Sequence, residues 1–176
     1  MQIKTIFSGF GGQGVLMMGY AFAVAAMRED RHVTYMPSYG AEVRGGTANC
    51  TVAVSNEEIA SPIASSPEFI VVMNKPSLST FQNRLQPGGV LFLNSTMIDD
   101  TPSRGDIEVV TVDAGTIAED IGDMRSANMV MLGAFIKKTN MVKLDTVKDG
   151  VGEIFDGKQK VVEMNTRALE LGYNSI

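Results

Sequence analysis

Apolar residues come in short blocks in the first two thirds of the chain and at helical spacing in the last third. The opening block, Ile3 to Phe7, has strand length, and the longer apolar segment Val15 to Met27 has helix length. Val33 to Met36 reads as a second strand. A third spans Ala48 to Val54, where Ala48, Cys50, Val52 and Val54 alternate with their neighbours. Phe69 to Met73 reads as a buried strand, followed by a helix over Lys75 to Leu85 with Pro76 in its first turn and Leu78, Phe81 and Leu85 on one face. Pro87-Gly88-Gly89 stops that helix. Val90 to Leu93 and Val109 to Val112 supply two more strands across a polar turn region, Asp99 to Asp106. From there the period changes to helical. Ala127, Val130, Met131, Ala134 and Phe135 form one stripe, Val147, Val151 and Ile154 a second, and Val161, Ala168, Leu169 and Leu171 a third, with Gly172 expected as the final C-cap.

Strands interleaved with helices and then helices alone predict an α/β, Rossmann-like three-layer sandwich with a mostly parallel sheet and a helical C-terminal part. With no internal repeat and no linker-like stretch, residues 1–176 are expected to form a single domain.

The first strand runs into the first helix through Gly9-Phe10-Gly11-Gly12-Gln13-Gly14. A strand, glycine turn and helix in this order leave backbone N–H groups aimed at one spot, where an anion or a close backbone can sit. The spacing assigns a tight turn to Gly9, close approach to Gly11 and helix-to-strand packing to Gly14. Glycine turns also serve packing alone, so both roles stay open. A Walker A loop needs Lys and then Ser or Thr where this chain has Val15 and Leu16. A dinucleotide site needs an acid about 20 residues beyond the glycines, at the end of the second strand. That strand ends in Pro37-Ser38, and Glu29 and Asp30 stand at its other end.

The formal charge of -5, with no cluster of Lys and Arg, gives no electrostatic footprint for nucleic acid. No apolar run reaches the roughly 20 residues of a membrane span, and the N-terminus reads as a strand and not a leader, so a cytoplasmic protein without membrane contact is expected. Cys50 is the only cysteine, which excludes an internal disulfide and an iron–sulfur cluster held by this chain alone. The lone His32 has no evident partner for metal binding or acid–base work and is expected at the surface. Of the 12 methionines, Met17, Met18, Met129 and Met131 fit either a partner-facing surface or, more simply, the core.

A second glycine-rich stretch, Pro37-Ser38-Tyr39-Gly40-Ala41-Glu42-Val43-Arg44-Gly45-Gly46-Thr47, follows the second strand. In a parallel sheet it lies at the same edge as the first glycine loop, where Arg44 can meet a carboxylate or phosphate. Pairing of Arg44 with Glu42, with Gly45 and Gly46 only turning the chain, is the plainer alternative.

Four segments together carry a family resemblance. These are S-G-F-G-G-Q-G-V from Ser8, P-S-Y-G-A-E-V-R-G-G-T-A-N-C-T-V from Pro37, E-E-I-A-S-P at Glu57 to Pro62, and N-M-V-M-L-G-A at Asn128 to Ala134. In order and spacing the chain resembles the gamma subunit of 2-oxoacid:ferredoxin oxidoreductases, nearest the 2-oxoglutarate or branched-chain branch. The resemblance implies a subunit of a thiamine-diphosphate enzyme that decarboxylates a 2-oxoacid, captures the acyl group with coenzyme A and reduces ferredoxin. Neither a thiamine diphosphate motif nor a cluster-binding cysteine set is present in this chain. Thiamine diphosphate, magnesium and iron–sulfur clusters are therefore expected on companion alpha, beta and delta subunits, and the isolated chain is expected to be inactive. What the resemblance leaves to this subunit is assembly and a coenzyme A site. The candidate binding residues are Gly9, Gly11, Gly12, Gln13 and Gly14, then Ser38, Tyr39, Arg44, Gly45 and Gly46, and Asn128. The competing expectations are a purely structural interaction module and a freestanding nicotinamide-dependent oxidoreductase. Apolar surface normally covered by partners is expected to drive a homodimer of the isolated chain.

Overall fold

In a computed structural model that describes residues 2–39 and 46–176, six strands form one sheet in the order β2-β3-β1-β4-β5-β6. The strands are β1 (Gln2–Phe10), β2 (His32–Tyr39), β3 (Thr47–Ser55), β4 (Phe69–Val72), β5 (Val90–Asn94) and β6 (Glu108–Val112). The helices are α1 (Val15–Arg28), α2 (Lys75–Phe81), α3 (Ala114–Asp120), α4 (Ala127–Thr139), α5 (Leu144–Ile154) and α6 (Gln159–Tyr173). Every strand inferred from the apolar blocks is present, extended at one or both ends except at β4, which stops one residue early, at Val72.

The sheet is mostly parallel, with one inversion. β1 pairs in parallel with β4, β4 with β5 and β5 with β6, whereas β3 runs antiparallel to both β1 and β2. The reversal follows from connection length. Only residues 40–46 join β2 to β3, fewer than the dozen or so a parallel crossover requires. β2 consequently points the same way as β1 and ends at the same edge. As the outermost strand, paired on one side only, it tolerates Pro37, which lacks the N–H that a central strand would use.

Both faces of β1 are buried. Phe7 belongs to a large core under α1 and the C-terminal helices, while its neighbour Ile6 belongs to a smaller core under α2 with Ile70, Val72 and Leu93. The larger core centres on Phe135 of α4, whose ring meets those of Phe7, Phe22, Phe69 and Phe92 edge-on with centroids 5.1–5.8 Å away. Met18, Met129 and Met131 are fully buried and Met17 is half-buried, so the methionines chiefly fill the core. Cys50 is sealed beneath α1, where burial pushes its thiol up to about 12, and His32 is exposed at the start of β2.

Two expectations need correction, and one helix escaped the sequence reading. The α2 helix ends at Phe81, and its last stretch becomes a 3-10 turn, Gln82–Arg84. The helix α3 was not anticipated, because its seven residues carry too short an apolar pattern. Gly172 is no C-cap: it lies inside α6, where a Cβ would stand 1.9 Å from the Val130 carbonyl oxygen of α4.

Candidate functional site at the carboxyl edge of the sheet

The chain leaves β1 toward β2 and β3 on one side, and the remaining strands fill the other, so the switch point of the sheet lies between β1 and β4. Open α/β sheets take ligands at that point, outside the carboxyl ends of the strands. Five segments meet there: the glycine loop after β1, the end of β2 with Gly46 before β3, Met73-Asn74 after β4, Asn94 to Met97 after β5, and the start of α3 after β6.

Within the glycine loop the roles differ from those the spacing assigned. Gly9 is still in the strand, and a Cβ there would lie 2.7–3.0 Å from Gln13, Val15 and Met73. It is a packing position and not the turn. Gly11 donates its N–H to the Gly46 carbonyl at 2.9 Å, tying the two glycine segments together, yet has room for a side chain. The turn belongs to Gly12 (φ +99) and Gly14 (φ +70), both left-handed. Gly14 caps α1 and packs on Asn128 of α4, which donates to the Gly14 carbonyl at 3.0 Å and accepts from Met129 N–H at 2.9 Å. Its neighbour is thus a helix and not a strand.

Gly14→Ala should therefore cost about 2 kcal/mol, from the left-handed backbone and the displaced Asn128 amide, which a Cβ would approach to 2.4 Å. Gly12→Ala, with nothing within 4 Å of its Cβ, should cost only the backbone term, about 1 kcal/mol. Urea melts of the two variants check the order; equal losses would show that Asn128 does not restrain the loop.

Gln13 is a pin. Its Oε1 accepts from Phe10 N–H at 2.7 Å and from Asn74 Nδ2 at 2.8 Å, and its Nε2 reaches the Met73 carbonyl at 3.4 Å. Asn74 Oδ1 in turn caps α2 by accepting from Ser77 N–H. These bonds hold the glycine loop against the end of β4. Asn74 and Asn94 escaped the sequence reading, although each stands directly after an apolar strand run, a repeated position that signals the carboxyl edge.

Two cavities flank the head of α1. A crevice of about 180 Å³ at the switch point is lined by Gly12, Gln13, Met73, Asn94 and Met97 among others. A second, of about 380 Å³, lies between α1, α4 and α6 and includes Met17, Asn128, Phe155 and Lys160. Arg125 borders both, and Asp123 binds its guanidinium at 2.9 Å, which holds the Asp123 carboxyl below the usual range. Of the residues expected at the site, Gly12 and Gln13 line the crevice, Asn128 lines the larger cavity, and Gly11, Gly14 and Gly46 support the loop between them. Ser38 and Tyr39 are exposed at the end of β2 and line neither cavity. Arg44 and Gly45 lie outside the described residues. Among the described residues, no cluster of three or more His, Cys, Asp or Glu is arranged to hold a metal, and no helix is long and apolar enough to cross a membrane.

Residues 4–175 match the family model for pyruvate ferredoxin/flavodoxin oxidoreductases. The chain is 39% identical over 173 residues to ketoisovalerate oxidoreductase subunit VorA of Methanothermobacter thermautotrophicus, covering 97% of this chain but 36% of that protein. It thus spans about a third of the length of that relative. Among solved structures, the gamma subunit of a keto/oxoacid ferredoxin oxidoreductase from Geobacter sulfurreducens superposes with a TM-score of 0.87 at 25% identity, covering 99% of this chain and 96% of that one. A 2-oxoglutarate:ferredoxin oxidoreductase from Magnetococcus marinus, solved with 2-oxoglutarate, coenzyme A and succinyl-CoA bound, contains the same fold at a TM-score of 0.89 and 23% identity, covering 98% of this chain and 30% of that one. The chain belongs to the pyruvate ferredoxin/flavodoxin oxidoreductase family, and its fold is that of the family's gamma subunit.

Proposed function

We propose that this chain is the gamma subunit of a multisubunit 2-oxoacid:ferredoxin oxidoreductase and that its own task is to hold coenzyme A beside partner subunits that perform the decarboxylation. The observation that carries the reading is the left-handed Gly12 and Gly14 turn, which opens α1 beside a crevice at the switch point. The first N–H groups of α1 point out of that turn, a geometry suited to phosphate. Arg125 and Lys160 add cationic side chains nearby, and Arg44 belongs to the segment that enters β3. Family membership supports the subunit role, and the single buried Cys50 is consistent with clusters carried elsewhere.

In this reading the alpha, beta and delta subunits supply thiamine diphosphate, magnesium and iron–sulfur clusters, ferredoxin takes the electrons, and the cytoplasm is the compartment. The substrate is a 2-oxoacid, with 2-oxoglutarate favoured by the sequence resemblance and a branched-chain oxoacid the competitor, since the relative VorA is named for ketoisovalerate. Positioning the coenzyme A thiol for acyl transfer contributes to rate without any covalent role for this chain.

Anaerobic purification of the tagged chain from its native cell tests this. Companion subunits should co-purify with 2-oxoacid- and coenzyme A-dependent reduction of a low-potential acceptor, and trying each oxoacid separately identifies the substrate. A chain that purifies alone, without that activity, would sink the reading.

A further inference from the structure

The cavity of about 380 Å³ between α1, α4 and α6 has the size of a small-molecule site and reaches the surface, where Lys160 and Val161 of its lining are exposed. Its inner walls are apolar. Met17 of α1, Met129 of α4 and Met164 of α6 supply three thioethers, and Phe155 after α5 supplies a ring. Thioether sulfurs make favourable contacts with aromatic rings, and a phenyl wall can meet a second ring edge-on. Such walls suit a flat aromatic body better than a saturated one.

The polar groups of the lining fall into two sets. Asp123 and Arg125 satisfy each other through two bonds, at 2.9 and 3.0 Å, and so add no net charge. Lys160 and Asn165, in the first two turns of α6, have no hydrogen-bond or ion-pair partner among the described residues. The first turn of α6 holds no acidic residue, and Glu163, one turn further on, is bonded to Gln159 instead. Asn165 is half-buried, yet neither end of its amide is sealed from solvent. Both groups are therefore within reach of a ligand. The lining offers one uncompensated positive charge and an amide donor beside walls that favour a ring.

We propose that this cavity binds an aromatic monocarboxylate, with its ring among Met17, Met129, Phe155 and Met164 and its carboxylate accepting from Lys160 Nζ and Asn165 Nδ2. A phosphate dianion matches less well, because Lys160 is the single unpaired cation in the lining among the described residues. The proposal does not rest on the coenzyme A reading, since every contact it uses comes from this chain. One consequence reaches the glycine loop. Asn128 lines the same cavity and donates to the Gly14 carbonyl at 3.0 Å, and that carbonyl also accepts from Met18 N–H at 2.9 Å. A ligand packed against Asn128 restrains the head of α1.

The probes are 3-phenylpropionate, its neutral isostere 3-phenylpropionamide and its saturated counterpart 3-cyclohexylpropionate. Each is titrated, without coenzyme A, into the protein as it purifies from its native cell, and binding is followed by ligand-observed NMR. The aromatic acid should bind about 3- to 5-fold more tightly than its amide, the size of an ion pair open to solvent, and about 3-fold more tightly than the saturated acid. In Lys160→Gln the preference for acid over amide should vanish while the amide binds as before. Met164→Glu, which puts a like charge in a half-buried wall, should weaken the acid about 10-fold or more. With the acid bound, hydrogen exchange in peptides covering residues 14–18 should slow about 3-fold. Failure of the aromatic acid to bind, equal affinity for the three probes, or a charge preference that survives Lys160→Gln would each overturn the proposal. Binding that Met164→Glu leaves untouched would place the ligand on another surface, a partner chain included, and overturn it too. None of these outcomes touches the subunit and coenzyme A reading, which co-purification decides separately.

Discussion

Phe135→Ala should cost about 5 kcal/mol, the upper end for a buried phenylalanine. The ring is fully buried and touches four others edge-on, contributed by β1, α1, β4 and β5. Each such contact adds about 0.5–1.5 kcal/mol beyond area burial, and the cavity left behind opens between a helix and three strands that cannot all close on it. Since domains hold only about 5–15 kcal/mol in total, the variant should be marginal or unfolded at 37 °C. Urea unfolding followed by circular dichroism measures it. A loss under about 2 kcal/mol would show that the four remaining rings repack around the hole.

Gly172→Ala should cost about 3 kcal/mol. The helices α4 and α6 cross with glycines on both sides of the contact. A Cβ at Gly133 would lie 2.1 Å from the Leu169 carbonyl oxygen, and one at Gly172 would lie 1.9 Å from that of Val130 and 2.8 Å from its Cα. These obstacles are backbone, so no rotamer change relieves them and a whole helix must move. Overpacking of this kind costs about 1–3 kcal/mol, and the upper value applies where nothing can yield. Gly152→Ala in α5 is the matched control. Its Cβ meets nothing within 4 Å, so the gain in helix propensity should raise stability by about 0.5–1 kcal/mol. Thermal melts of the pair should move in opposite directions. If Gly172→Ala matches the wild type, the two helices do not pack as closely as their backbones indicate.

A shift of α4 would not remain local. Asn128 sits in the first turn of α4 and holds the Gly14 carbonyl at the head of α1. Gly172→Ala should thus also loosen the Gly14 turn and, if the proposed coenzyme A role holds, weaken coenzyme A binding, a consequence that links the helical layer to the carboxyl edge.

Most elements could be read in the sequence because burial on one or two faces writes a period into the chain. The strands β4 and β5 are nearly continuous apolar runs because both of their faces are covered, and α4 has a buried stripe broad enough to survive any error in its ends. The glycine loop was likewise visible, as was its position between a strand and a helix. Its division of labour was not: Gly9 was assigned the turn and Gly14 a strand contact, whereas φ and the neighbour of each glycine depend on Asn128 and Met73, distant in sequence. Asn94 passed unnoticed because a single polar residue at a strand end has no period, and only the sheet brings it level with Gln13.

The sequence by itself determined the order and kind of the main elements, the absence of a metal or cluster set built on cysteine and histidine, and the family. Each of these depends on local patterning or residue identity. Tertiary structure alone decided the insertion of β3 between β1 and β2, the switch point between β1 and β4, the glycine crossing of α4 and α6, and the sealing of the Asn94 amide against the Met73 carbonyl. All four arise from contacts between segments far apart along the chain, and such contacts leave no period in the residues that make them.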